Sequence, residues 1–212
     1  MKHSETLCSR RTFLAVSSSI AAGNCIIRGT SPVRAQEKIS TSEKKKQELS
    51  DTGYKLGFDY LSNGKYPGCA LCTIAAIQDT LNIRDDTIFK AATGMSGGGG
   101  GTRIGNCGSY TGCSLVIGQL CGCDRPQQSY KDDYQKASGV VKKVSDEFVS
   151  EYGSVICREI KIIVDDRYDY AKNNEGITQK LKTEALGKCS TVVAKGAQWA
   201  VELILDEGLV KI

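Results

Sequence analysis

Histidine is nearly absent from this sequence: its 212 residues include one, His3, in a segment that we expect to be removed. A mature chain without histidine cannot form a Ser-His-Asp triad, a Cys-His protease site or a histidine-ligated zinc or copper centre. It also has no Cys-x-x-Cys-His sequence for attaching a c-type haem. The weakly apolar run from Phe13 to Ile27 is too short and too rich in serine and glycine for a stable membrane span. Any chemistry of the mature chain is therefore expected to depend on its cysteine sulfurs.

Residues 1–35 are predicted to be a twin-arginine signal peptide. The sequence SRRTFL at residues 9–14 fits the Ser-Arg-Arg-x-Phe-Leu pattern of that signal, and VRA at residues 33–35 supplies small residues where a signal peptidase cuts. The alternatives are a cytosolic start with two chance arginines, or a weaker lipoprotein site at Cys25. We expect a mature chain of residues 36–212, exported by the twin-arginine route to a periplasmic or other extracytoplasmic location.

The excess of positive charge belongs to the expected signal peptide. The whole chain has 28 basic and 24 acidic residues, whereas residues 36–212 carry 23 of each and have no net charge. Such a chain gives no electrostatic reason to expect a nucleic-acid partner. Its length suits one domain with one core. We expect residues 36–64 to form an N-terminal helical extension and residues 65–212 a cysteine-rich helical redox domain.

The spacing of apolar residues predicts an all-α fold, a multi-helix bundle with a glycine-rich loop between helices. The predicted helices cover about residues 43–61, 69–81, 85–93, 104–120, 127–152 and 184–207. Residues 160–164 favour a short strand, and residues 165–178 favour a charged loop.

The helix predicted over residues 104–120 is the centre of this arrangement. Gly108 and Gly112 give it a smooth face that another backbone can approach closely. Five glycines at residues 97–101 precede it. They are interpreted as a flexible loop rather than a phosphate loop, because no Gly-Lys-Ser/Thr follows and no strand precedes them.

Eight cysteines remain in the expected mature chain, at positions 69, 72, 107, 113, 121, 123, 157 and 189. Cys69, Cys107, Cys157 and Cys189 share a setting, because each is expected at or near a helix start and close to an apolar face. Four thiolates could converge on a tetrahedral metal or an iron–sulfur cluster, with helix N-termini offsetting part of their charge. However, their spacing matches no compact ferredoxin or zinc ribbon, and a single cysteine is more often a small core residue.

The order of these residues resembles a family named C_GCAxxG_C_C for its cysteine pattern, most of whose members are assigned a redox role from their cysteines. The resemblance runs from Tyr66 to about Glu207. Its blocks are Cys69 with the following helix, Gly94 with the glycine run, CGSYTG at residues 107–112 with Ser109 in place of an alanine, GSVICRE at residues 153–159, and Cys189 in its amphipathic helix.

The family is similar to the non-haem part of split-Soret cytochromes, which are linked to iron–sulfur binding. The resemblance therefore implies a redox protein in which Cys69, Cys107, Cys157 and Cys189 bind an iron–sulfur cluster, most simply [2Fe–2S], without haem. A closed shell of four cysteines leaves no open metal position, so we expect single-electron transfer to a redox partner protein rather than catalysis. The sequence does not identify that partner. It also leaves the oligomeric state open, with a homodimer as one option.

Other functions also fit the cysteines. Cys69 and Cys72 resemble a dithiol motif at a helix start and predict a thiol–disulfide oxidoreductase, although the βαβ setting of thioredoxin-like proteins is missing. A structural domain stapled by disulfides is a third hypothesis, and zinc would fit four thiolates as well as iron. Cys121 and Cys123 are interpreted as a local disulfide or spare thiols, and the role of Cys113 is left open.

Overall fold

The structure is a computed structural model that describes residues 40–125, 130–164 and 179–211. Within those residues the fold is all-α, as predicted, with seven α-helices and no strand. The helices are α1 (Thr41–Ser62), α2 (Cys69–Leu81), α3 (Asp86–Ala91), α4 (Gly108–Cys121), α5 (Tyr130–Tyr152), α6 (Cys157–Val164) and α7 (Gln179–Asp206), and a 3-10 turn (Ala92–Met95) follows α3. The predicted signal peptide and the loop predicted over residues 165–178 lie outside the described residues.

Side-chain caps explain where two of these helices begin. At α1, the Ser40 hydroxyl accepts from the N–H of Glu43 at 3.1 Å, while the Glu43 carboxylate accepts from the N–H of Ser40 at 2.8 Å. This reciprocal pair satisfies two backbone donors that the helix itself leaves unpaired. At α3, the Asp85 carboxylate accepts from the N–H groups of Thr87 and Ile88. Asp85 therefore caps the helix that was predicted over about residues 85–93.

Three predicted boundaries or elements are wrong. Residues 160–164 are helical, because Ile160 and Lys161 are buried with Cys157 on one face of α6, and so short an apolar run does not distinguish helix from strand. The central helix begins at Gly108, because the preceding residues pair with residues 155–158 instead. Helix α7 begins at Gln179 rather than at about residue 184.

Helix α7 lies at the centre of the bundle and contacts α1, α2, α4 and α5. Its packing against α1 brings two backbones together at small residues. A Cβ on Gly57 would lie 3.0 Å from the Ala194 Cα and 3.0 Å from the Val193 carbonyl oxygen. Glycine at position 57 therefore lets the two helices pack this closely without strain.

Aromatic residues join α4, α5 and α7 on the other side of the core. Phe148 is fully buried, and its ring meets those of Tyr110 and Trp199 edge to face at centroid distances of 5.7 and 5.3 Å. Such pairs add about 0.5–1.5 kcal/mol to the free energy gained by burying their surface.

None of the described helices is long and apolar enough to cross a membrane.

Candidate functional site

The four cysteines singled out in the sequence line one cavity of about 320 Å³. Cys69 is the first residue of α2, Cys107 immediately precedes α4, Cys157 begins α6, and Cys189 lies within α7. Because these helices are far apart along the chain, only the folded bundle brings the four thiols to a common space.

Cys69 is positioned by a turn that only glycine allows. Gly68 has a φ of 92°, and a Cβ at this position would collide with the side chain of Ser96. The Ser96 hydroxyl instead accepts from the N–H of Ala70 at 3.1 Å, and so caps α2 from outside that helix. This contact fixes the first turn of α2 against the segment that leads into the glycine run.

Cys107 and Cys157 are held near each other by main-chain hydrogen bonds. The N–H of Cys107 donates to the carbonyl oxygen of Val155 at 2.7 Å, and the N–H of Cys157 donates to that of Gly105 at 3.0 Å. Asn106 and Ile156 form an isolated antiparallel bridge between them. The segment before α4 is not helical because its main-chain groups pair with the segment before α6.

The glycine face of α4 brings Cys69 close to Cys107. A Cβ on Gly108 would collide with the Cys69 sulfur, and a Cβ on Gly112 would lie 2.9 Å from the Ala70 carbonyl oxygen. The close approach predicted for this face is therefore confirmed, and the helix that uses it is α2.

Cys189 does not have the predicted location near a helix start. Helix α7 begins well before it, so no free N–H groups of a first turn surround its sulfur. It is half-buried, and Val192 and Val193 of the next turn line the cavity with it. Its predicted place beside the apolar core is correct.

Burial and mutual repulsion raise the pKa values of two of the four thiols. Burial is the first cause at Cys107, followed by the charge of Cys69, while the N–H groups of Ser109 and Tyr110 favour the thiolate. Burial also raises the pKa of Cys157 to about 11, with further contributions from Cys69 and Cys189. Sulfurs that repel one another as anions need positive charge, a proton or a metal to share the site.

Two cations also line this cavity, Arg103 and Lys161. Neither of them was identified as a site residue from the sequence. Both favour the thiolate form of Cys157 and so oppose the rise in its pKa. Lys161 follows Cys157 by one helical turn, a signal that was hidden because residues 160–164 favoured a strand. The glycine run also lines the cavity, with Gly97 to Gly101 all at positive φ, a conformation typical of glycine.

The other cysteines do not line the cavity. Cys72 is fully buried, its thiol donates to the Tyr66 carbonyl oxygen at 3.3 Å, and burial raises its pKa to about 11. Cys113 is fully buried and donates to the carbonyl oxygen of Gly196 at 3.2 Å, between α4 and α7. Cys121 and Cys123 lie at the other end of α4. No disulfide joins any of the eight cysteines that the structure describes.

The four thiols surround a space rather than meet at a point. In the described part of the chain, no three histidine, cysteine, aspartate or glutamate side chains are close enough together to hold a single metal ion. The cavity is large enough for a group with several atoms between its ligands.

A family model, C_GCAxxG_C_C, matches residues 68–203 and carries the description "Putative redox-active protein". The matched range contains all four cysteines of the cavity and the glycine run beside them. No curated protein and no solved structure matches the chain. Since the match covers well over half of the sequence, the chain belongs to the C_GCAxxG_C_C family of redox-active proteins.

Proposed function

We propose that this protein binds an iron–sulfur cluster, most simply [2Fe–2S], through Cys69, Cys107, Cys157 and Cys189, and that it transfers single electrons. The observation that carries the proposal is the shared cavity, lined by these four thiols and two cations. We also propose that the chain is exported by the twin-arginine route, and that its redox partner is another protein.

The donor set fits the proposed group. Four cysteine thiolates are the common ligand set of both [2Fe–2S] and [4Fe–4S] clusters. The cavity is walled on other sides by apolar residues, among them Leu61, Ile160 and Val192. Apolar walls exclude water and limit the reorganisation that accompanies electron transfer.

Two parts of the backbone have a definite role in this proposal. The main-chain pairing of residues 103–107 with residues 155–158 sets the separation of Cys107 and Cys157. The N–H groups at the start of α4 donate toward the Cys107 sulfur, which favours its thiolate and would tune a bound group. When bound, the cluster supplies a site that gains and loses one electron without a change in bonding.

Iron and acid-labile sulfide in the anaerobically purified full-length chain test the proposal. We expect about two of each per chain for a [2Fe–2S] cluster, with visible absorption from sulfur-to-iron charge transfer. Cys157→Ser should lose most of the iron. Cys113→Ser is the matched control, because this cysteine is also buried but lies outside the cavity, and it should keep the iron.

Two results would refute the proposed ligand set. One is a wild-type protein with no iron and no sulfide, and the other is a Cys157→Ser protein that keeps all of its iron. A purified protein that contains zinc but no sulfide and no visible absorption would instead hold a structural metal at this site.

The dithiol function is the weaker candidate. A thiol–disulfide oxidoreductase needs an accessible thiolate and a resolving thiol that can reach it. Cys72 is fully buried, and its raised pKa keeps it protonated at neutral pH. Turnover of insulin disulfides without metal, abolished in Cys72→Ser, would revive this function.

A further inference from the structure

The charges that line the cysteine cavity are all of one sign. Arg103 and Lys161 are its lining cations, and the described lining residues include no aspartate or glutamate. Lys161 is only 8% exposed and lies on the same face of α6 as Cys157. Burying an ammonium group is unfavourable unless negative charge lies near it. Four acidic thiols line the cavity that Lys161 borders.

Arg103 occupies a strained backbone conformation beside the same cavity. Its φ is 68°, in the left-handed region that a residue with a Cβ rarely adopts. Hydrogen bonds on both sides enforce this conformation: its N–H donates to Gly97 and its carbonyl oxygen accepts from Arg158. Strain that the surrounding structure enforces is found most often at functional sites. In this conformation Arg103 is one of the residues that line the cavity.

We propose that Arg103 and Lys161 are the counter-charges of this site and set the reduction potential of the cluster in it. The inference rests on the proposed function. An oxidised cluster with four thiolates carries about two negative charges, whether it is [2Fe–2S] or [4Fe–4S]. Two cations bring the cavity close to neutrality.

This balance determines the cost of reduction. One electron from a reducing carrier protein converts one iron(III) to iron(II), with no bond broken and no proton moved. The cavity then holds about one net negative charge rather than about three, the number it would hold without the cations. Arg103 and Lys161 therefore make reduction easier and raise the potential.

Redox titration of the cluster-loaded full-length protein with dithionite tests this role, with visible absorbance as the readout. We expect Lys161→Met and Arg103→Met each to lower the ratio of reduced to oxidised protein about tenfold at a fixed potential. This is the effect of one charge at roughly 12 Å and an effective dielectric constant of about 20. It corresponds to about 60 mV for a one-electron couple. Lys161→Arg should keep the wild-type ratio, because it keeps the positive charge.

Arg158→Met is the matched control. Arg158 directly follows Cys157 but is exposed and does not line the cavity, so its removal should change the ratio less than about twofold. That small change should vanish at about 1 M salt, whereas the changes at the two cavity positions should persist.

The outcomes separate the two proposals. Absence of iron from the wild-type protein overturns the proposed function. Intact clusters whose potentials in Lys161→Met and Arg103→Met equal that of Arg158→Met overturn the counter-charge role alone. If Lys161→Met fails to fold, Arg103→Met decides, and an unchanged potential in that variant overturns the role.

Discussion

Two identical substitutions in α4 should change stability in opposite directions. At Gly112, a Cβ would lie 2.9 Å from the Ala70 carbonyl oxygen and 3.0 Å from the Thr73 Cβ, so α2 and α4 would have to separate. At Gly118, a Cβ would meet nothing within 4 Å. Gly112→Ala therefore overpacks an interface, whereas Gly118→Ala only removes backbone freedom from the unfolded chain.

The sizes of these effects follow from the same contacts. Replacing a glycine by alanine inside a helix stabilises it by about 0.5–1 kcal/mol, and this is the whole effect expected at Gly118. Overpacking typically costs about 1–3 kcal/mol, which outweighs that gain at Gly112. Because both variants gain the same backbone effect, their free energies of unfolding should differ by the overpacking cost alone, about 1–3 kcal/mol. At about 2–4 °C per kcal/mol, the midpoints of thermal unfolding should differ by several degrees.

Urea denaturation followed by far-ultraviolet circular dichroism measures this difference. Both variants should be compared with the wild type as metal-free protein under reducing conditions, so that cluster binding adds nothing to their stability. If Gly112→Ala is stabilised as much as Gly118→Ala, the backbones of α2 and α4 do not approach as closely as the structure has them.

Three further predictions concern the site and the core. Gly108→Ala places a methyl group against the Cys69 sulfur, so iron and sulfide per chain should fall by more than half, as measured by metal and sulfide assays. The pKa of the Cys72 thiol is raised to about 11, so its contribution to stability is full below about pH 8.5 and is lost as pH rises through 11. Urea denaturation of the metal-free proteins should show the wild type losing about 2 kcal/mol relative to Cys72→Ala between pH 8 and 11, and parallel profiles would contradict this. Phe148→Ala should cost about 3–5 kcal/mol by thermal unfolding, whereas Val149→Ala at the neighbouring exposed position should change stability by less than about 0.5 kcal/mol.

Helices with long apolar periodicity could be predicted from sequence, and α2 is found over the predicted residues. The errors fall where long-range pairing overrides local preference. Ile104 continues the apolar pattern of α4, yet it is 81% exposed, because its neighbours pair with the segment before α6. A bridge between Asn106 and Ile156 leaves no local signal in the sequence.

The site divides in the same way. Cys69, Cys107, Cys157 and Cys189 could be singled out from their order along the chain, and the structure brings them to one cavity. Arg103 could not, because its place beside the cavity depends on a left-handed backbone that is rare outside glycine. If residues 157–164 had been predicted as a helix, the spacing would have placed Lys161 on the same face as Cys157. The mostly apolar run of residues 160–164 is too short to distinguish a helical period from that of a strand.

The main-chain pairing before α4 and α6 has a consequence for sequence variation. Amide and carbonyl groups are present at every residue except that proline lacks the N–H, so the contacts that hold Cys107 and Cys157 do not depend on neighbouring side chains. Asn106 and Ile156 can therefore change with little effect on the distance between the two sulfurs, because the N–H groups that donate across the pairing belong to Cys107, Cys157 and Arg158. Homologues should vary freely at these two positions while keeping the cysteines beside them. The same backbone could serve as a template on which new side chains are placed around a fixed pair of thiols.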